Sequence, residues 1–318
     1  MLPISAVGAV EQFQLGAAWA DLSDQGRLRA TGSDRVRLLH AICSNDLEGL
    51  APGQGTYAFF LSPQGKIQAD SHLFVAADHV LVVCDSAVRQ SLRDHIESYI
   101  IMDDVDLEDV SGQLAVTGLA GPHAARLLSA VGAEPPSSKL QSSSFAAGLV
   151  TRAPVGGHDG FWLETAPGDA PDLRERLERL GALQASAREC AIARVRRRVP
   201  RFGLDFGADS IPHETQVFSA VSFTKGCYTG QEIVERVRSR GRVRRLLVAV
   251  DLESPEEPTD RTVIHGGKAV GSLTSLFRIS TDGRKWAGFA MVRRSAAAPG
   301  TRVTVGSIAA TIAAISAP

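Results

Sequence analysis

Apolar residues along the chain change period several times, and each change marks an element. Gly55–Leu61 and residues 66–75 read as strands joined by the turn Ser62, Pro63, Gln64 and Gly65, which predicts a hairpin. Residues 79–84 add a third strand. Over 86–100 the spacing becomes helical, with Val88, Leu92, Ile96 and Tyr99 on one side. Leu173, Leu177 and Leu180 predict an amphipathic helix over 172–183. Ser186 and Glu189 form a capping box that starts a further helix carrying Cys190 and Ile192. Residues 132–144 are polar, rich in Pro and Ser, and read as a loop. Beyond Gly241 the texture becomes short β-branched runs at 243–252, 261–266, 268–279, 286–292 and 301–315, with a loop at 254–259. This spacing predicts a small barrel or sandwich, with a boundary near residue 243.

Two segments resemble each other, LRATGSDRVRLL at 28–39 and LAVTGLAGPHAARLL at 114–128. Each reads as a strand, a Thr-Gly turn and a helix ending in paired leucines. Ser33 is placed to cap the first helix and Pro122 suits the first turn of the second. The expected organisation is an αβ domain over 1–243, built of related halves of about 1–110 and 111–243, followed by a β domain over 244–318.

Composition narrows the class. At 318 residues, 44% hydrophobic and 22% charged, the chain is globular and long enough for more than one core. Its net charge of −1 argues globally for neither nucleic acid nor membrane, so any such case rests on local patches. No apolar run is long enough to span a bilayer, and the first residues lack a secretory pattern. Four cysteines without a paired spacing point to a reducing compartment, the cytoplasm.

The chemistry concentrates at 225–232, KGCYTGQE. Gly226 and Gly230 bracket Cys227, and glycine permits backbone angles closed to other residues. Thr229 and Glu232 stand at capping-box spacing, so a helical turn is expected just after the cysteine. Such a start, with Lys225 beside it, favours a thiolate. Cys43, Cys84 and Cys190 sit in apolar patterns and read as buried small hydrophobes. No histidine is close in sequence to complete a Cys/His pair, although His213 could be near in space. The turn from Gly118 to Pro122 lacks nucleotide-loop spacing, and the histidines show no metal-site spacing.

Arginines cluster at 194, 196, 197, 198 and 201 and again from 236 to 245. Arg236, Arg238, Arg240 and Arg242 would share one face of a strand. That face is solvated, tracks RNA phosphates, or seats an acidic small molecule. Phe202 and Phe206 are the aromatic candidates for stacking there. Asp70, on an apolar strand after the turn, is either exposed by alternation or buried and paired.

KGCYTGQE, with Arg236 four residues on, resembles the signature of the YgfZ-type folate-binding proteins, paralogues of the aminomethyltransferase (T-protein) of glycine cleavage. The resemblance extends over the start at 31–34, Ser44-Asn45-Asp46, Leu61 to Ile67, Val116 to Gly118, Pro200 to Gly203, Ile211 to Glu214, Ser222 to Lys225, Val270 to Ser275 and Ala287 to Ala290. It implies an α+β fold of three subdomains with a C-terminal β-barrel, tetrahydrofolate as ligand, and a role with iron–sulfur enzymes or their assembly factors, some of which modify tRNA. It makes Cys227 the working thiol, with Lys225, Gly226, Tyr228, Gly230, Gln231, Glu232 and Arg236 around the ligand. It places Asp70 where the T-proteins use an aspartate. Where those relatives carry a glutamate for the pterin, this chain has Arg196 to Arg198. Either another acid, Glu189 or Asp205, replaces it, or the ligand is held differently.

Overall fold

The computed structural model describes residues 8–280 and 283–317. In chain order the elements are α1 Ala9–Leu15, β1 Ala18–Asp21, β2 Gly26–Thr31, α2 Arg35–Ile42, β3 Gly55–Leu61, β4 Ile67–Val75, β5 Val80–Cys84, α3 Arg89–Glu97 and β6 Asp106–Asp109. There follow β7 Ala115–Ala120, α4 Ala124–Ala130, β8 Ser142–Phe145, β9 Gly148–Arg152, β10 Gly160–Thr165, α5 Ala170–Arg179, β11 Leu183–Gln184 and α6 Ala187–Arg196. The last part holds α7 Pro212–Thr215, α8 Gln231–Arg240, β12 Arg245–Glu253, β13 Thr262–His265, β14 Lys268–Arg278, β15 Lys285–Arg293, β16 Arg302–Val305 and β17 Ile308–Ala313. None of these helices is long and apolar enough to cross a membrane.

The chain divides into two compact units, Met1–Ala58 with Ser71–Ala193, and Phe59–Asp70 with Arg194–Pro318. The predicted hairpin forms as β3 and β4. They lie at one end of a five-stranded sheet ordered β3-β4-β5-β2-β6, and the hairpin tip belongs to the second unit.

In the first unit a six-stranded sheet runs β11-β1-β7-β10-β9-β8. Every residue of β7 and β10 is buried, because both faces of the sheet are covered. One face packs Trp19, Leu119, Phe161 and Leu163 against Leu127 and Leu128 of α4 and Leu173 and Leu177 of α5. The other packs Ala18, Val116 and Trp162 against Phe13, Phe74 and Val83. Removing these side chains from water stabilises the unit by about 25 cal/mol per Å² of apolar surface. A cavity of about 690 Å³ remains in this unit, lined among others by Phe74, Leu81, Leu149, Arg27 and Glu164. Arg27 and Glu164 form a buried ion pair at 2.9 Å.

Several local expectations need correction. Ser33 does not cap α2; its hydroxyl and N–H both donate to the Asp104 carboxylate at 2.8 Å, and Asp34 stands at the cap. In the second strand–turn–helix segment the turn lies at Gly121, not at Thr117 and Gly118. Gly118 is inside β7, where a Cβ would meet Leu22 and Val155 at 2.7–3.1 Å. The helix expected over 172–183 starts earlier and stops at Arg179, since Pro171 suits its first turn. The loop over 132–144 ends in a strand, β8, paired to β9.

In the second unit β12-β15-β14-β13-β16-β17 close into a six-stranded barrel, which decides between the barrel and the sandwich that the β-branched runs left open. Val250, Leu252, Val263, Trp286, Val292, Val305 and Ile312 fill its interior. Residues 194–243 group with this barrel, where the sequence reading joined them to the preceding segment. Polar ties explain the grouping. Asp205, 1% exposed, accepts from Arg194 at 2.6 Å, from the Arg201 N–H at 2.9 Å, and from the Ser275 hydroxyl of β14. Gln216 donates to the Leu247 carbonyl at 2.7 Å, and Arg198 pairs with Asp251 at 2.7 Å.

Candidate functional site

The hairpin tip is a tight turn between Ser62 and Lys66, and the Lys66 N–H donates to the Ser62 hydroxyl at 3.3 Å. The Ser62 N–H donates to the Lys66 carbonyl and the Gly65 N–H to the Ser62 carbonyl, both at 2.8 Å. The Lys66 ammonium donates to the Asp209 carbonyl and the Ile67 N–H to the Ser210 carbonyl, which fixes the tip on the segment before α7. Phe59 stacks edge-on against Phe206, 6.0 Å between ring centres, and Phe202 packs on Phe206 at 5.7 Å. Asp70 follows on β4, half-buried, with Ala69 and Ser71 fully inside on either side.

The cysteine loop lies on this turn. Gly230 has φ of 80°, and a Cβ there would stand 2.6 Å from the Ser62 carbonyl oxygen and 3.2 Å from the Gly65 Cα. Gly65 has φ of 71°, and a Cβ on it would meet Ile233 of α8 at 2.8 Å. Two left-handed glycines thus bring two backbones into contact. Gly226 has no such role, since a Cβ there meets nothing within 4 Å and its φ is not positive. The helix expected after the cysteine is α8, starting at Gln231. Its cap is Gly230 without any side-chain cap, so Thr229 and Glu232 form no capping box. A left-handed cap residue leaves no extended position from which Thr229 could reach the first turn.

Within the loop, the Ser222 hydroxyl accepts from the Lys225 N–H at 3.1 Å, and the Gln231 N–H donates to the Tyr228 carbonyl at 3.1 Å. Tyr228 is buried, and the Lys225 ammonium stands 5.1 Å from its ring centre. Cys227 is exposed, whereas Cys43 and Cys84 are buried. Cys190 is half-buried, and its burial, aided by the Glu189 carboxylate, pushes the thiol up to about 11. Glu232 and Arg236 pair with each other at 2.6 Å on the outside of α8.

His213 does not complete a Cys/His pair. Its ring packs against Phe218 at 5.8 Å and Phe223 at 6.4 Å, and neither nitrogen has a hydrogen-bond partner among the described residues. Burial lowers its basicity. No group of three metal-ligating side chains occurs among the described residues.

The arginine run is helical up to Arg240, so Arg236, Arg238 and Arg240 point about 200° apart in succession and share no strand face. Phe202 and Phe206 lie in the core. The aromatic rings beside the arginines are Phe218 and Phe223, which sequence reading missed because the turn at Gln216 (φ 59°) folds them back.

The acids offered for a pterin are both occupied. Glu189 caps α6, accepting from the Ser186 N–H at 2.9 Å and hydroxyl at 2.7 Å. Asp205 is sealed in the cluster with Arg194 and Ser275. Arg196 donates to the Ile279 carbonyl at the end of β14. Arg196, at the position where the resemblance implies an acid, therefore serves the barrel attachment.

Residues 7–225 match the family described as the GCVT N-terminal domain. The match ends at Lys225, so the rest of the cysteine loop lies beyond it. A chloroplastic protein of Arabidopsis thaliana carrying a transferase name is 28% identical over 306 residues, covering 94% of this chain and 70% of that one. An aminomethyltransferase of Shouchella clausii is 28% identical over 323 residues, covering 96% and 87%. The crystal structure of glycine cleavage system aminomethyltransferase T from Bartonella henselae superimposes with a TM-score of 0.85 at 19% identity, covering 96% and 88%. The expected α+β fold with its C-terminal barrel is the fold of that structure.

Proposed function

Because the chain belongs to the GCVT N-terminal domain family, we propose that it is a folate-related protein of the YgfZ type that works through the Cys227 thiol in assembling or repairing iron–sulfur clusters. One observation carries this reading. Cys227 is the exposed cysteine of the four, and its loop is held on the Ser62–Gly65 turn by the close approach at Gly230. Clusters are held by cysteine thiolates, so an exposed thiol on a fixed backbone suits transient contact with a cluster or with a client's cysteine. Iron–sulfur enzymes and their assembly factors are the partners this reading implies.

Tetrahydrofolate fits the side chains only in part. A pterin's amino and ring N–H groups need an acceptor. Glu189 and Asp205 are committed elsewhere, and Arg196 is a donor. The reading therefore routes no step through folate. Calorimetry with tetrahydrofolate and its polyglutamates tests that part by itself.

The thiol is tested in a deletion strain by the activity of iron–sulfur enzymes. Cys227→Ala abolishes rescue; full rescue by this variant would sink the thiol role. The relatives named aminomethyltransferase favour a second reading, one-carbon transfer with Asp70 at the reacting centre. Turnover of tetrahydrofolate with an aminomethyl donor, lost in Asp70→Asn, would establish it in place of the first.

A further inference from the structure

Beside α8 in the second unit is a cavity of about 440 Å³, lined by His213, Phe218, Phe223, Val243, Arg238 and Arg294. Phe218 and Phe223 have ring centres 6.1 Å apart, and His213 packs against both. Phe218 is 45% exposed, unusual for so large an apolar ring. The Arg238 guanidinium lies over the Phe223 ring, 4.6 Å from its centre, with Glu235 at 3.3 Å on one side. Stacking fixes the cation and leaves its outer edge to donate.

The surroundings are strongly basic although the chain carries a net charge of −1. Arg245 is neutralised by Glu214 and Asp209 at 2.8–2.9 Å. Arg240, Arg242, Arg244, Arg293 and Arg294 are exposed and have no carboxylate at ion-pair distance among the described residues. Arg244, Arg293 and Arg294 are close together. The Arg294 N–H donates to the Arg244 carbonyl at 2.9 Å, and Arg293 pairs with Arg245 across the β12–β15 ladder. Uncompensated arginines around exposed aromatic faces are what a flexible polyanion with planar side groups requires. The rings take the bases and the guanidinium groups take the phosphates.

We propose that this surface binds single-stranded nucleic acid, with a base stacked on Phe218 in the cavity and the adjoining phosphates on Arg238 and Arg294. The ring nitrogens of His213, in the cavity wall and without protein partners among the described residues, offer one donor and one acceptor to the base edge. A duplex cannot enter, since its bases are already stacked on one another. An acidic polypeptide would meet the arginines but leave the rings unused. The surface is separable from the thiol reading, because Cys227, Gly226 and Gly230 do not line the cavity and Phe223 alone comes from the cysteine loop.

The test is fluorescence anisotropy of the full chain with labelled U12 and dT12 across 50–300 mM NaCl, with a 12-base-pair duplex and polyglutamate as competitors. Single strands bind, with log K falling against log salt by about 0.7 per phosphate neutralised. Arg238→Gln and Arg294→Gln each reduce that slope by about 0.7. Phe218→Ala weakens binding about tenfold or more at every salt concentration while leaving the slope unchanged. Cys227→Ala binds as the parent does. Absence of binding overturns the proposal. So does equal competition by duplex or by polyglutamate, or a Phe218→Ala variant, melting as the parent does, that binds undiminished.

Discussion

Gly230 and the Ser62 carbonyl are in backbone contact that no side chain can share, since a Cβ on Gly230 would stand 2.6 Å from that oxygen. The φ of 80° at Gly230 adds a second objection, because L-residues pay about 1–2 kcal/mol for the left-handed region. Gly230→Ala is expected to cost about 2–4 kcal/mol in a urea melt. Gly226→Ala, open to solvent and not left-handed, should leave the melt unchanged. Equal effects of the two would refute this account of the loop.

Thiol accessibility separates the four cysteines. Titration of the native protein with a disulfide reagent should show one fast thiol, Cys227, with Cys43 and Cys84 reacting only on unfolding. Cys190, held protonated by a pKa pushed up to about 11, should lag behind Cys227 at neutral pH. Peptide mass mapping after brief alkylation identifies the site. A fast Cys190 would contradict the burial described.

The Arg27–Glu164 pair stabilises the first unit only while both partners are present. Glu164→Gln leaves a buried guanidinium without its counter-charge and should cost about 3–5 kcal/mol. The double change Arg27→Met, Glu164→Leu should recover most of that loss, as apolar replacements of buried pairs commonly do. Thermal melts of the three proteins decide it.

Acid sensitivity has an identifiable source in His72. Burial among Tyr57, Phe74 and Trp162, with ring centres at 5.0–6.3 Å, lowers its pKa to about 4. The unfolded chain, titrating near 6.5, binds the extra proton first as pH falls. Stability is therefore full above about 6.5 and is lost progressively between about 6.5 and about 4, by about 3 kcal/mol from this group. His72→Phe should flatten the dependence of the urea midpoint on pH in that window.

The sequence carried most of the local structure because local signals decide it. The Ser62–Gly65 turn, the helix after Cys227 and the short strands beyond Gly241 each follow from residue order over a few positions, whereas closure of those strands into a barrel depends on pairing between distant segments. What it did not carry depends on the third dimension. The arginines at 236 to 242 share no strand face, because Val234 and its neighbours follow a helical period that alternating arginines obscure. Arg196 stands at a position read as a ligand seat, and only the fold shows its hydrogen bond to the Ile279 carbonyl. Phe218 and Phe223 joined the arginines through a left-handed turn at Gln216, a conformation that a glutamine does not announce.

The hairpin tip Phe59–Asp70 belongs to a unit whose remaining residues start at Arg194. On the ribosome, Phe59 and Ile67 emerge well before Phe206 and Ser210, the residues that later cover or bond them. Pairing across so long a stretch of chain carries a loop-closure cost that must be met before the contacts repay it. The surface beneath the cysteine loop is thus among the first made and the last completed, and during synthesis that interval exposes the nascent chain to aggregation or to a chaperone.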